Sequence, residues 1–402
     1  MKIKLLIAAH SFSFMNEIID AFEKHPLFAV KVDKWMGHNL HNEKRSRELL
    51  KWADVIIAEW CLGNAVWYSN NKLPHQKLFI RLQRWEVTTV YPKRLNLQNV
   101  DKIIFPPPLF QEKTEKMIQL PKEKSIIIPN AVDVDRYRSE KTDNSKFNIG
   151  MLGYNRKLKR LDKAVTILEK LKVYDDRFTL FIKGEPPEKV RWIWRKKDEK
   201  RYFTDQYHRI QRSPHKRSII FEGWGRDVPR WFQKIGFILS TSDVEGTHQA
   251  VAEGMASGSI PMINGWQGAE LIYPEEFIKS DINEIVESIV SFTQDHKSFA
   301  RKQSEVRAYC YDHFHLDHIV NKWIDMIVET KPSAWFPVPQ QETEPKKITS
   351  QQPKSKPQPT PKSTPKPTPK PTPKPTPKPT PKPKRKRIIS KTNGRRIFPY
   401  GK

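Results

Sequence analysis

Residues 240–274 read STSDVEGTHQAVAEGMASGSIPMINGWQGAELIYP, and this stretch decides how the rest of the 402-residue chain is interpreted. The apolar run at 237–241 predicts a buried parallel strand that ends in a turn. Residues 249–256 are mostly small helix formers and predict a helix. The unpaired amides at the start of such a helix favour a phosphate group, so a phosphorylated ligand is expected beside Glu245.

Two glutamates stand at a fixed spacing in this stretch. Glu253 follows Glu245 by eight positions, just over two helical turns. Gly246, directly after the first glutamate, allows the backbone to approach a ligand closely. Spacing alone favours the plainer interpretation of two solvated charges on a helix face.

The whole stretch resembles the Glu, seven residues, Glu signature of the retaining family 4 glycosyltransferases, including the segment EGMASGSIP and the Gly-Ala-Glu after it. The resemblance implies a GT-B fold of two Rossmann-like doubly wound domains that face a cleft. It implies that Glu245 lies beside the donor sugar and that Glu253 holds the nucleotide ribose. Thr247 and Gly246 would lie against the donor. His248 could contact it too, although a capping or packing role fits that residue equally well.

Residues 153–165, GYNRKLKRLDKAV, place a glycine and several cations between a predicted strand and a predicted helix. This is a phosphate-binding arrangement, but a solvated basic turn has the same composition. The family shows Gly-Arg, four residues, then Lys, and the resemblance implies that Lys159 holds the donor diphosphate. Tyr154 occupies the family's arginine position, which leaves Arg156 as the nearest substitute cation.

The first part of the chain alternates predicted strands and helices, which predicts a doubly wound parallel sheet. Ligands of such sheets bind beyond the carboxyl ends of the strands, so residues 10–14 and 83–86 are expected at a cleft and facing the acceptor. Family members often carry a catalytic histidine near the transferred sugar, and Gln83 stands in that place here. The glycine-rich loop of many relatives is replaced by AAHSFSF, so a phosphate-bearing acceptor is not implied. The predicted strands are 5–9, 28–32, 54–58, 77–82, 102–105 and 125–128.

Residues 126–138, IIIPNAVDVDRYR, resemble the segment that closes the first domain of these transferases. We therefore expect an acceptor domain at 1–140 and a donor domain at 147–312. A final helix at 313–330 is expected to cross back to the first domain. The tail, 331–402, repeats Thr-Pro-Lys-Pro five times and is expected to be disordered.

The net charge of +27 is concentrated in that tail, which carries +17, whereas the preceding 330 residues carry +10. This distribution fits a moderately basic enzyme and makes nucleic acid an unexpected partner. The tail is either solvated or a contact for an anionic membrane or polymer. Two distant cysteines and one loose histidine cluster, at 313–318, predict neither a disulfide framework nor a metal site. No apolar run is long enough to span a membrane, so a cytoplasmic protein with at most peripheral membrane contact is expected.

One further stretch, residues 185–217, interleaves aromatic and basic residues. Such a pattern can stack sugars or bases, but an amphipathic helix pair with its aromatics in the core is the favoured interpretation.

Together these features predict a retaining, metal-independent glycosyltransferase that uses a nucleotide sugar, with UDP as the expected nucleotide. The expected acceptors are a cell-surface glycan, a teichoic-acid-like polymer or a lipid-linked intermediate. The alternative is a non-catalytic binding protein in which the tail tethers a degenerate transferase domain to nucleic acid or an anionic polymer. Tyr154 and Gln83 support that alternative, and the retention of Glu245, Glu253 and Lys159 argues against it.

Overall fold

Alternate residues of the first strand, β1 (Ile3–Ala9), lie in two different apolar cores of the computed structural model, which describes residues 2–330. Ile3, Leu5 and Ile7 pack in one core, and Leu6 and Ala8 pack in the other. A strand that is apolar on both faces therefore lies inside a sheet that is covered on both sides. The predicted tail, with its repeats, lies outside the described residues.

The first lobe contains a six-stranded parallel sheet with the order β2-β1-β3-β4-β5-β6. Its helices cover both faces of that sheet. After β1 the elements are α1 (Asn16–Lys24), β2 (Phe28–Lys34), α2 (Glu43–Trp52), β3 (Val55–Glu59), α3 (Gly63–Asn71), β4 (Lys77–Arg81), β5 (Lys102–Ile104), α4 (Leu109–Ile118), β6 (Ser125–Ile126) and the single turn α5 (Val134–Tyr137).

The second lobe contains a second six-stranded parallel sheet, with the order β12-β11-β10-β7-β8-β9. In this doubly wound order the first three strands of the lobe, β7 to β9, run to one side of the sheet and the last three, β10 to β12, run to the other side. The elements are β7 (Asn148–Leu152), α6 (Leu161–Leu171), β8 (Thr179–Lys183), α7 (Arg191–Trp194), α8 (Lys197–Arg212), β9 (Ile219–Glu222), α9 (Val228–Phe232), β10 (Phe237–Ser240), α10 (Gln249–Ala256), β11 (Ile260–Asn264), β12 (Ile278–Lys279), α11 (Ile282–Gln294), α12 (His296–Phe314) and α13 (Leu316–Glu329).

The last helix, α13, packs against the first lobe. Trp323 is fully buried there, in the same apolar core as Ile3 and Phe22. The chain passes from α12 to α13 beside Val132, whose amide donates to the carbonyl of Phe314. The first lobe is therefore built from both ends of the described chain.

The predicted strands are confirmed within a few residues, and the predicted helix at 249–256 is confirmed at both ends. The predicted strand at 125–128 is shorter than expected, because only Ser125 and Ile126 pair with β5. The favoured interpretation of residues 185–217, with the aromatics in the core, is supported except at Trp192. Phe203 is buried, Tyr202 and Tyr207 pack on the same core, and Trp192 is exposed. Among residues 2–330, none of the helices is both long and apolar enough to cross a membrane.

Candidate active site

The candidate site lies where the strand order of the second sheet reverses, between β7 and β10. β7 and β10 are neighbours, and the chain leaves their carboxyl ends towards opposite faces, which opens a crevice between the two loops. Gly153 follows β7, and residues 241–248 follow β10. The crevice continues between the two lobes as a cleft of about 600 Å³.

Glu245 and Lys159 form a buried ion pair in this cleft. The Lys159 Nζ donates to Glu245 Oε1 at 2.5 Å, and the Ser242 hydroxyl donates to the same oxygen at 2.6 Å. Burial disfavours the charge on Glu245, but the neighbouring His248 imidazole, the Lys159 ammonium and these hydrogen bonds outweigh that effect and lower the pKa of the carboxyl group. The site therefore holds a fixed negative charge beside a fixed positive one.

The loop that carries Lys159 is held in place by the loop after β10. The Thr241 hydroxyl donates to the Lys159 carbonyl at 2.8 Å, and the Asp243 amide donates to the Leu158 carbonyl at 2.9 Å. Arg160 joins the two loops through ion pairs of 2.8 Å with both Asp162 and Asp243. Lys159 is thus positioned by contacts of the loops themselves.

Two glycines, Gly153 and Gly184, line the same cleft as the ion pair. Gly153 has a φ of +80°, a conformation that side chains rarely adopt, and a Cβ built there would meet nothing within 4 Å. Gly184, at the end of β8, has a φ of +144° and lies close to Gly153. Bare backbone at the ends of two adjacent strands lets a ligand approach the main chain.

Glu253 is a residue of α10 and also lines the cleft. Its burial, together with the charge of Glu17 from α1, raises the pKa of its carboxyl group to about 7, while Tyr137 and Arg136 act in the opposite direction. Glu253 also lines a smaller pocket that contains these three residues. It is a carboxylate whose charge depends on what binds next to it.

The first lobe supplies an aromatic and amide wall. Phe14, Trp60 and Trp85 line the cleft, and the Trp60 indole is fixed by a 2.8 Å hydrogen bond to the Ser11 carbonyl. Trp60 lies 5.6 Å from Phe14 and 6.4 Å from Trp85, measured between ring centroids. Arg84 also lines the cleft.

Gln83 is linked to the second lobe through Asn130. Its amide nitrogen donates to Asn130 Oδ1 at 3.0 Å, and Asn130 Nδ2 donates to the Thr247 hydroxyl at 3.2 Å. The Gln83 main-chain amide donates to Glu86 Oε1 at 3.1 Å, and burial raises the pKa of Glu86 to about 7. These hydrogen bonds therefore hold the loop after β4 in place.

A buried ion pair lies under the same loops. Arg81 donates from Nε to Glu59 Oε2 at 2.6 Å and from Nη2 to the Phe14 carbonyl at 2.8 Å. Both charged side chains have no exposed surface. The pair fixes the loop that carries Phe14 relative to β3 and β4.

Gly246 lies where the loop after β10 approaches the first lobe, and its lack of a side chain allows the close approach. A Cβ there would lie 3.2 Å from the Cβ of Arg84 and 3.8 Å from Pro107. The sequence suggested that Gly246 admits a ligand, whereas the structure shows that it also admits the loop of the other lobe.

Most of the residues predicted from the sequence line this one cleft, namely Gln83, Lys159, Glu245, Gly246, Thr247, His248 and Glu253. Arg156 is different, because its guanidinium pairs with Glu199 at 3.2 Å and lies over Trp192. It is absent from the cleft lining, and its role as a phosphate cation stays a prediction. Tyr154 is buried against Phe221 and Phe203.

Several cleft residues were not singled out from the sequence. Arg84 lines the cleft, but the sequence assigns its loop to the acceptor only as a whole. Asn130 is outside the cleft lining, yet it joins Gln83 to Thr247, and in the sequence its segment marks only a domain boundary. Trp60 and Trp224 follow β3 and β9, so their position after a predicted strand was the available signal. Among residues 2–330, no group of three or more His, Cys, Asp or Glu side chains is arranged to hold a metal ion.

No protein-family model and no curated protein matches the sequence. Solved structures do match the fold. The Anabaena protein HepE, crystallised with UDP, is 16% identical with a TM-score of 0.64, over 82% of this chain and 100% of that one. A glycosyltransferase from Rickettsia africae is 13% identical with a TM-score of 0.59, over 82% and 98%. An α-glucosyltransferase in complex with UDP and a DNA containing an HMU base is 15% identical with a TM-score of 0.58, over 82% and 100%.

These similarities show the fold. Two α/β lobes, each with a six-stranded parallel sheet, match the GT-B arrangement that the sequence predicted.

Proposed function

We propose that this chain is a glycosyltransferase that moves a sugar from a nucleotide sugar to an acceptor held by the first lobe. The observation that carries the proposal is the Lys159–Glu245 pair in a cleft that Gly153 and Gly184 also line, where the strand order of the second sheet reverses. The fold is shared with proteins crystallised with UDP or with UDP-glucose, which supports a uridine nucleotide as the donor. The family 4 resemblance of residues 240–274 belongs to the same proposal.

In this proposal Lys159 binds the donor diphosphate and Glu253 accepts hydrogen bonds from the ribose hydroxyls. Arg84 supplies a second cation, because it lines the cleft while Arg156 is occupied by Glu199. Two positive groups from different lobes would then meet at one diphosphate. Binding of the donor would draw the lobes together across Gly246.

The proposed reaction breaks the bond between the sugar and the diphosphate, and negative charge grows on the leaving phosphate. Lys159, Arg84 and the first amides of α10 can stabilise that charge, so we propose a reaction that needs no metal. We further propose that the sugar keeps its anomeric configuration, with Glu245 beside the reacting carbon and Gln83 near the transferred sugar.

The aromatic wall of Phe14, Trp60 and Trp85 supports an acceptor that carries sugar rings, since such rings pack well on indole and phenyl faces. A glycan, a teichoic-acid-like polymer and a lipid-linked intermediate all meet this description. Contact of the basic tail with an anionic membrane or polymer, and a cytoplasmic location, are further parts of the proposal.

The test is a screen of UDP-, GDP-, ADP- and CDP-sugars for slow hydrolysis by the full chain, with NMR of the released sugar to read its first anomer. We expect one uridine sugar to be hydrolysed with retention. Arg84→Gln should reduce the rate by roughly a hundredfold, as for loss of one charge-stabilising donor. Arg94→Gln, an exposed arginine of the same lobe, is the matched control and should behave as wild type.

Inversion of the anomer would reject the retaining mechanism and leave the donor assignment standing. If no nucleotide sugar is turned over, even with acceptor extracts present, the non-catalytic binding protein becomes the better account. Tyr154, which is buried and cannot supply a cation, is the residue that favours that second function.

A further inference from the structure

Three buried side chains form a hydrogen-bonded chain that ends at the ion pair. The Trp266 indole Nε1 donates to the Ser240 hydroxyl oxygen at 2.9 Å, and that hydroxyl lies 2.6 Å from His248 Nδ1. Trp266, Ser240 and His248 are each less than 10% exposed. None of these contacts touches solvent, so the positions of the protons are set by the protein.

One arrangement of protons gives the Ser240 hydroxyl both a donor and an acceptor, whereas a proton on His248 Nδ1 would leave the Ser240 proton without an acceptor among these contacts. An indole nitrogen can only donate, so the lone pair of Ser240 that faces Trp266 is used as an acceptor. The Ser240 proton is then free to donate to His248 Nδ1, which must be unprotonated to accept it. A neutral imidazole that accepts at Nδ1 carries its proton on Nε2.

The backbone of His248 is held in an unusual conformation. Its φ is +43°, in the left-handed region that non-glycine residues seldom adopt. The Tyr273 hydroxyl donates to the adjacent carbonyl of Thr247 at 2.7 Å, which helps to fix this turn. Strain of this kind is maintained where a side chain must be aimed in one direction, and here it aims the imidazole at the cleft.

The far side of the ring has no hydrogen-bond partner. Among the described residues, His248 Nε2 is buried without a hydrogen-bond partner, and Glu245 Oε1 lies 3.7 Å from it. That oxygen already accepts from Lys159 and Ser242. A buried N–H without an acceptor is costly, so this one is expected to be used when a ligand enters.

We propose that Trp266 and Ser240 are positioning residues that hold His248 as its Nε2–H tautomer, and that this N–H donates to an oxygen of the ligand bound in the cleft. The tautomer is inferred from the hydrogen-bonding needs of Ser240, whereas the identity of the ligand, a nucleotide sugar, rests on the proposed function. Burial lowers the pKa of His248 to about 4, which is consistent with a neutral ring at pH 7. The ring then acts as a hydrogen-bond donor without adding a charge beside Lys159.

The test uses the full chain labelled with 15N in its histidines and long-range 1H–15N NMR spectra, which distinguish the two tautomers by the shifts of Nδ1 and Nε2. His248→Gln assigns the signal among the 12 histidines. We expect the Nε2–H pattern in the wild-type protein. An Nδ1–H pattern, or an averaged signal from both tautomers, would overturn the proposal without any need for variants.

Ligand binding provides the second readout. Addition of UDP or UDP-glucose should shift the Nε2–H resonance, and calorimetry on the same samples should report binding. Binding without any shift of this resonance would overturn the donor role of His248 and leave the proposed function intact. Absence of binding to every nucleotide sugar would overturn the donor role together with the proposed function, while the tautomer is still measured.

Variants separate positioning from packing. Ser240→Ala should produce a mixture of tautomers and reduce kcat by about tenfold or more, in line with the loss of a residue that orients a functional side chain. Trp266→Phe should have the same direction of effect. Trp231→Phe is the matched control, because Trp231 is equally buried in the same lobe and its Nε1 has no partner among residues 2–330. Equal losses of kcat in Trp266→Phe and Trp231→Phe would reject the positioning role of Trp266.

Discussion

At the scale of single residues, the charge of Glu253 is the feature most open to change. Its burial raises the pKa to about 7, so the free protein holds this carboxyl group partly protonated at neutral pH. Ribose hydroxyls donate more strongly to the ionised form. UDP affinity should therefore fall as the pH drops below about 7, by up to about tenfold per pH unit.

Glu253→Gln should remove this pH dependence, and titration calorimetry of UDP from about pH 6 to about pH 8 measures it. The phosphate of UDP titrates in both proteins, so the difference between the two profiles isolates Glu253. A raised carboxyl pKa also means that the unliganded protein loses stability as the pH rises, and the glutamine variant should be relatively more stable at about pH 8 than at about pH 5. Parallel profiles for the two proteins would show that Glu253 does not meet the ligand.

Lys159 and Glu245 should behave as one unit. Removal of one partner leaves the other charge in a site where the side chains are only 21% and 9% exposed. Lys159→Met should lower the free energy of unfolding by about 2 to 3 kcal/mol, near the lower end for a broken buried pair because Lys159 is partly exposed. The double variant with Glu245→Gln should cost much less than the sum of the single changes, and urea unfolding of all four proteins measures this. Additive costs would contradict the pairing.

The residue scale also shows what a sequence can reveal about a site. Lys159 and Glu245 were identified through the resemblance of residues 153–165 and 240–274 to the family, because spacing and composition alone favour solvated charges at both positions. The role of Arg156 could not be tested in this way, because its partner Glu199 comes from α8, forty-three positions later. The role of Arg84 could not be identified from the sequence either, because it depends on how closely Gly246 approaches this residue.

At the scale of elements, the loop after β10 meets the loop after β4 through Gly246. A methyl group at this position would be 3.2 Å from the Cβ of Arg84, so one of the two loops must shift by a few tenths of an ångström. Gly246→Ala should therefore reduce turnover by roughly tenfold or more, since small displacements of catalytic loops are costly. The melting temperature should change little, because both loops lie at the surface of the cleft.

The matched control for this prediction is Gly223→Ala. Gly223 lies in the same lobe, a Cβ there would meet nothing within 4 Å, and its backbone is not in the left-handed region. Steady-state rates and thermal unfolding of both variants complete the test. Equal turnover in Gly246→Ala and wild type would contradict a close approach of the two loops.

Elements were predicted well where apolar residues are continuous and less well elsewhere. Strands such as β3 and β10 are buried at every position, and most of their residues are apolar. Helix α12 was not predicted as a unit, because its 19 residues bury only Phe299, Val306, Cys310 and Phe314. The expected boundary at 313 falls in the last turn of this helix.

At the scale of the whole molecule, α13 joins the end of the described chain to the first lobe. Trp323 has no exposed surface and packs in the core that contains β1. Trp323→Ala should lower the free energy of unfolding by about 3 to 5 kcal/mol, as for other large buried aromatics. Trp192→Ala, at a site that is 55% exposed, should cost less than about 1 kcal/mol. Urea unfolding that gives the same loss for both would contradict the packing of α13.

The alternation of strands and helices predicts a doubly wound parallel sheet. The GT-B arrangement of two such domains was implied by the family resemblance. The cleft between the lobes could not be drawn from sequence, since it depends on contacts such as Gln83 to Asn130 and Asn130 to Thr247. The three side chains come from distant segments. The charge of the chain gave little guidance here, because most of it belongs to residues 331–402.

The central claim is that a nucleotide sugar binds between the lobes at Lys159 and Glu253. The most direct measurement is calorimetric titration of UDP into wild type, Lys159→Met, Glu253→Ala and the exposed control Glu287→Ala. We expect one site per chain in wild type and in the control, and at least about tenfold weaker binding in both cleft variants, equivalent to about 1.4 kcal/mol. No binding of UDP, GDP, ADP or CDP to the wild-type protein, or binding that is unchanged in both cleft variants, would contradict it.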